Sequence, residues 1–398
     1  VRNNLASAYE SVGRFGEAID AWEELLLDCQ RVLGADHPVT LTVRNNLAVA
    51  YRSVGRFGEA IELFEQVLAD RVRVLGPDHP DTLTTRHNLA SAYGDVGRFG
   101  EAIELFEQVL ADRVRVLGPD HPNTLTVRNN LAGAYYSVGR FGEAVELFEQ
   151  VLAEYERVLG ADHPDTLTTR NNLALAYKSV GRFGEAIELF EQVLAERERV
   201  LGADHLDTLN TRNSLAGAYD SVGRLADAID AWEELLPDCQ RVLGADHPDT
   251  LAVCDNLAVA YDSVGRLAEA IDAWEELLPD CQRVLGADHP DTLAVCDNLA
   301  VAYDSVGRLA EAIDAWEELL PDCQRVLGAD HPDTLAVCDN LAVAYDSVGR
   351  LAEAIDAWEE LLPDCQRVLG LEHPLTKQVE KNLEAAKRKM NPPAASSE

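Results

Sequence analysis

The chain repeats itself every 42 residues from Val1 to Gln378 without an insertion or deletion. The segment Leu-Ala-x-Ala-Tyr-x-x-Val-Gly-Arg recurs with its tyrosine at Tyr9, Tyr51, Tyr93, Tyr135, Tyr177, Tyr219, Tyr261, Tyr303 and Tyr345. Such a period marks stacked supersecondary units, because one unit of this size cannot bury its apolar surface alone. The nine units occupy 1–42, 43–84, 85–126, 127–168, 169–210, 211–252, 253–294, 295–336 and 337–378. A repeat array has no division into globular domains, so the 398 residues are expected to form one continuous stack.

Within a unit, Leu47, Ala50, Tyr51 and Val54 fall at i, i+3, i+4 and i+7, and Phe57, Ala60, Ile61, Phe64 and Leu68 repeat that spacing. Each unit therefore reads as two amphipathic helices. Gly55 and Gly76 stand just past the two helices, where a left-handed residue closes a helix and glycine adopts it without steric cost. The start of the first helix reads Asp78-His79-Pro80-Asp81, with Asp78 as N-cap, a proline in the first turn and a carboxylate three residues on. In the later units Pro237, Pro279, Pro321 and Pro363 fall inside the second helix, and a kink or short break is expected there. Residues 377–390 form a basic amphipathic helix that caps the last hairpin, and 391–398 read as a disordered tail.

Leu173, Ala174, Tyr177, Gly181, Phe183, Ala186 and Phe190 reproduce a pattern that closely resembles the tetratricopeptide repeat. The unit is longer than that family's usual 34 residues by about two helical turns, Ala195 to Leu201, and the Leu-Gly-Ala-Asp-His link. In this it resembles the kinesin light chain type of repeat, also found in bacterial signalling proteins. The resemblance implies an all-α fold, a right-handed α-solenoid of stacked antiparallel helical hairpins. Five lysines against twenty-nine arginines, with much Ala, Gly, Val, Leu and Asp, point to a GC-rich bacterial genome. The chain enters its repeat in mid-helix at Val1, so a longer protein with an upstream segment is expected.

Seventy acidic against thirty-four basic side chains give a formal net charge of −36, which disfavours nucleic acid and anionic membrane as partners. No stretch approaches the roughly 18 apolar residues of a membrane helix, and a cytoplasmic location is expected. Nine of ten histidines (His37, His79, His121 onward to His373) fill the same link in each unit, which argues for a turn role over metal or acid–base work. Cys281, His289 and Cys296 are too widely spaced for a zinc motif, and the cysteines are expected as buried or half-buried free thiols in a reducing compartment. No phosphate-binding glycine loop, nucleophile elbow or metalloprotease helix is present. The sequence thus points to no enzyme, no cofactor and no metal.

Comparing units separates frame from surface. Two residues before each tyrosine stand Ser7, Val49, Ser91, Gly133, Leu175 and Gly217; one residue after it stand Glu10, Arg52, Gly94, Tyr136, Lys178 and Asp220. These variable positions lie off the apolar stripe, on the helix face that lines the concave groove in proteins this chain resembles. On that face a ladder of Asn46, Asn88, Asn130 and Asn172 offers amide donors and acceptors to a peptide backbone, and Val49, Arg52, Tyr136, Leu175 and Lys178 would supply selectivity. The asparagines could instead satisfy neighbouring helices. In the later units Asp255, Asp297 and Asp339, with Asp262, Asp304 and Asp346, turn the face acidic, and basic segments are the expected partners. Residues 43–84 carry net charge −1 and 253–294 carry −7. The function read from the sequence is non-catalytic capture of a protein or extended peptide. The alternative is the sensor or autoinhibitory arm of a larger nucleotide-binding signalling ATPase.

Overall fold

The computed structural model describes Tyr9 and residues 15–391; the expected tail from 392 and most of the first repeat helix lie outside the described residues. The described chain is all-helical. Its eighteen helices are α1 (Phe15–Leu33), α2 (Pro38–Ser53), α3 (Phe57–Leu75), α4 (Pro80–Asp95), α5 (Phe99–Leu117), α6 (Pro122–Ser137), α7 (Phe141–Val158), α8 (Pro164–Ser179) and α9 (Phe183–Val200). They continue with α10 (Leu206–Ser221), α11 (Leu225–Val242), α12 (Pro248–Ser263), α13 (Leu267–Val284), α14 (Pro290–Ser305), α15 (Leu309–Val326), α16 (Pro332–Ser347), α17 (Leu351–Val368) and α18 (Pro374–Met390). Even-numbered helices lead a hairpin and odd-numbered ones trail it. Tandem helical hairpins of this kind make an α-solenoid. Contacts gather into two bodies, Val1–Val200 and Leu201–Glu398.

Each leading helix starts on histidine rather than on the expected aspartate. His79 has extended backbone angles and its Nδ1 accepts from Asp81 N–H at 3.2 Å, with Pro80 at the first helical position. Asp78, the expected cap, is instead ion-paired with Arg115 of the next hairpin's trailing helix at 2.5 Å. The same pairing recurs at Asp36 with Arg73 and at Asp288 with Arg325, both at 2.6 Å. His205, which lacks the following proline, keeps its cap at 3.2 Å. Leading helices close on a glycine at positive φ: Gly55 (φ 77°) donates to Arg52 O, and Arg56 N–H reaches Tyr51 O at 2.9 Å. This is the paired bond pattern of a left-handed helix stop. At the trailing helices Gly76 has φ 94° and ψ 162°, a combination open essentially to glycine alone.

The helices run unbroken through Pro237, Pro279, Pro321 and Pro363. Pro237 and Pro279 are exposed, so each proline ring stands on the solvent side of its helix. The core is divided between hairpins. Leu251 and Ala258 of α12, Ile271, Trp274 and Leu277 of α13, and Val295 and Leu299 of α14 form one buried cluster, and equivalent clusters follow at 42-residue steps. Each cluster needs the next leading helix, and for the hairpin of α16 and α17 this is α18, which begins at Pro374, three residues before the expected capping helix, and buries Val379, Leu383 and Ala386.

Candidate functional site

In each body, leading helices of successive hairpins touch one another, so they form the inner side of the stack. A repeated clamp fixes their orientation. Tyr303 donates its hydroxyl to Glu275 of the preceding trailing helix at 2.9 Å, while the Arg308 guanidinium lies 4.1 Å from its ring centroid. Burial, and then the hydrogen bond to Glu275, push the Tyr303 phenol up to about 12. In α18, Lys387 takes the tyrosine's place and reaches Glu359 at 2.6 Å.

On the first body's inner face the structure gathers Arg52, Asn130 and Asn172 of the predicted set around a groove of about 370 Å³, with Ser91, Gly94 and Gly133 between them. Phe99 and Phe106 give it an apolar floor. A second depression of about 470 Å³ opens beside Arg52, Ser53, Phe57 and Asp95. Arg52 holds Asp95, 43 residues later, through two N–H groups. Tyr136 accepts from Ser179 at 3.0 Å across the same 43-residue step and stacks edge-on against Phe141. Val49 is half-buried against the core around Leu89 and Phe106, so it is partly a packing residue. Leu175 and Lys178 are half-buried on the same helix face but do not line the groove; Asn46 and Asn88 are likewise half-buried outside it.

The asparagines are only partly open. Asn45 Oδ1 accepts from Thr85 at 3.1 Å and Asn129 Oδ1 from Thr169 at 2.9 Å, so the first member of each pair ties two units together. Asn130 Nδ2 lies 3.3 Å from His87 Nε2, and its Oδ1 accepts from Asn129 at 3.4 Å. Burial drives the His87 imidazole down to about 3, so it is neutral, and its ring meets Phe106 edge-on at 5.5 Å. The polar ladder is thus first a staple between repeats.

The second body corrects the expectation of six open carboxylates. Asp255, Asp297 and Asp339 accept from the indole N–H of Trp274, Trp316 and Trp358 at 2.8, 2.7 and 2.7 Å. Burial raises all three pKa values, opposed by bonds from those indoles and from Asn298, Asn340 and Asn382 of the next unit. They are structural acceptors. Asn213 does the same work uncharged, taking Trp232 Nε1 at 2.7 Å and Asn256 Nδ2 at 3.2 Å. Asp346 is paired with Lys389 of α18 at 2.5 Å, which leaves Asp262 and Asp304 of the predicted six. Asp220 belongs with them by position.

Sequence reasoning missed the arginines at the hairpin junctions. Arg71, 3% exposed, donates to Asp81 O and Thr85 Oγ1 at 2.7 Å each, and burial lowers its pKa. Later units place Cys281, Cys323 and Cys365 at that position, buried beside half-buried Cys254, Cys296 and Cys338, all free thiols. Burial pushes the Cys254 and Cys281 thiols up to about 11, away from thiolate chemistry. Among the described residues no three His, Cys, Asp or Glu side chains converge as a metal site, and no described helix is long and apolar enough to cross a membrane.

A tetratricopeptide repeat profile matches residues 1–71, 55–113, 95–156, 134–195, 170–237, 221–279, 255–321 and 298–363. Comparison with curated proteins finds no match. Among solved structures, the chain is similar to a Podosopora anserina putative kinesin light chain of nearly identical TPR-like repeats, at 39% identity over 50% of this chain and 94% of that one, TM-score 0.44. It is similar in fold to the Pyrococcus horikoshii signal transduction ATPase PH0952, described with a tetratricopeptide repeat sensor, at 14% identity over 92% of this chain and 55% of that one, TM-score 0.61. A Rap protein complexed with Competence and Sporulation Factor matches at 12% identity, over 88% of this chain and 98% of that one, TM-score 0.53.

Proposed function

The chain belongs to the tetratricopeptide repeat family, whose arrays are protein-interaction scaffolds, and on that premise we propose that its inner face captures an extended peptide without carrying out chemistry on it. The groove of the first body carries this reading. Its floor is aromatic, its walls offer the Arg52 guanidinium, the Asp95 carboxylate and the Asn130 and Asn172 amides, and it is open along one side. An extended backbone presents alternating N–H and C=O groups that such a wall can meet, while side chains enter the apolar floor. Asn130 acts here with its contact to His87 already in place, which holds its amide in a fixed orientation. In the second body the corresponding face is acidic, and basic segments are favoured there.

Gly133 supplies the test. A Cβ built on it meets nothing within 4 Å and its backbone is ordinary helix, so a large side chain would project into the groove without disturbing the fold. Peptides selected from a random library against the wild-type chain should lose at least tenfold in affinity on Gly133→Trp, while helicity and melting stay unchanged. Undiminished binding by a folded Gly133→Trp chain would overturn the reading. A second reading makes the same face the sensor of a larger signalling ATPase, the role described for the P. horikoshii protein; it requires a nucleotide-binding domain in the same gene product.

A further inference from the structure

At several rungs of the inner face the residue after a repeat tyrosine meets the residue 43 places later on the next leading helix. Arg52 is met by Asp95, Tyr136 by Ser179, and Asp346 by Lys389. Asp220, Asp262 and Asp304 stand at the same position in consecutive units of the second body. Opposite them are Ser263, Ser305 and, for the third, Ser347. Each of these serines donates its hydroxyl to its own helix, to Val259, Val301 and Val343 O at 2.9 Å, so none of them answers the carboxylate. The fourth rung is where α18 brings a lysine, and that lysine sits on the carboxylate.

From this we infer that Asp220, Asp262 and Asp304 are three equivalent rungs for the cations of an extended basic segment of a partner, spaced about three residues apart; the inference rests on the inner-face reading above. The occupant's chemistry is read from Lys389, which shows an ammonium group seated at an identical position. Units 253–294 and 295–336 are identical in sequence, so whatever fits one of their rungs fits the other. Packed helices lie roughly 8–10 Å apart and an extended chain rises about 3.3 Å per residue, so one rung corresponds to about three residues. Between rungs, the exposed Val259 and Val301, one turn before Asp262 and Asp304, offer small apolar contacts to the intervening residues. The rungs act together, since binding at the first makes the next intramolecular.

The experiment uses the full chain and labelled synthetic peptides in fluorescence anisotropy at low and moderate salt. Peptides of the form (Lys-Ala-Ser)n are compared with isomers of the same composition whose lysines are clustered. Surface ion pairs are worth about twofold each, so the two pairs added between one and three lysine triplets should raise affinity about fourfold, after which it levels off. Asp220→Asn/Asp262→Asn/Asp304→Asn should bring the triplet peptide down to the clustered isomer. Asp230→Asn/Asp272→Asn/Asp314→Asn, an equal charge change at exposed positions of the trailing helices, should preserve the preference. Lys389→Ser, which copies the residue opposite the open rungs, should extend the rise to a fourth triplet. Equal binding of the two isomers, equal loss in the two triple variants, or no binding of either peptide would overturn the inference. So would self-association of the chain that the first triple variant alone abolishes, which would assign the face to a second copy. None of these outcomes touches the groove of the first body, whose test is Gly133→Trp.

Discussion

Replacing Asp255, Asp297 and Asp339 by asparagine should stabilise the protein at neutral pH. Each carboxylate is held by one indole N–H and one asparagine amide, in a site where burial dominates and raises the pKa. A raised folded-state value means that the folded environment disfavours the charge. The stability each aspartate contributes is therefore fully present below the ordinary aspartate range and is lost as pH rises through the folded value. Asparagine removes the charge and keeps the acceptor: at Asn213 one Oδ1 takes both the Trp232 and the Asn256 donors. Charge-assisted bonds are worth about 1.5–3 kcal/mol against 0.5–1.5 for neutral ones, so the swap gives back about 1 kcal/mol per bond of the relieved desolvation, and because burial dominates, a net gain is expected. The assay is urea unfolding followed by circular dichroism from pH 4 to pH 8, comparing the triple variant with wild type. The variant's midpoint should be higher at pH 7 and the difference should shrink towards pH 4. A variant less stable at pH 7, or an advantage that grows as pH falls, would refute the assignment of these carboxylates as net-unfavourable buried charges.

Three further outcomes follow from the repeated devices. His289→Ala should lower stability by about 1 kcal/mol through loss of the helix cap, while His289→Asn should retain most of it, as read by the urea midpoint. Tyr303→Phe removes the bond to Glu275 but leaves the ring under Arg308, which should cost about 0.5–1.5 kcal/mol. Because the Tyr303 phenol is held at about 12, its contribution is present below the ordinary tyrosine value and is lost as pH rises through about 12; the Phe variant should lack that alkaline step. Gly76→Ala places a Cβ at φ 94° and should cost roughly 1–3 kcal/mol even though the space around it is empty, measured by thermal melting.

The hairpins, their glycine stops and the need for a neighbour to complete each core were legible in residue order, because helix period and glycine placement are local properties. The cap was misread for a physical reason. Asp78 outranks His79 as a cap by intrinsic preference, but Arg115 of the next hairpin claims its carboxylate and leaves the imidazole to meet the helix. The groove was half legible. Comparing units pointed to Arg52, Asn130 and Asn172, yet nothing in the order of residues said that Asn130 would spend its amide on His87 or that Asp297 would lie under an indole.

By itself the 42-residue sequence period determined that this protein is an array of helical hairpins, since amphipathic spacing, turn residues and repetition fix a unit and oblige it to stack. Only the tertiary structure decided which polar groups on the inner face are consumed in joining units and which remain for a partner. Those pairings join residues 19, 28, 37 and 43 places apart, across helices whose relative rotation no local signal encodes. An exposed and a half-buried aspartate read alike in a sequence; they differ in whether packing sets a donor and a low-polarity wall beside them.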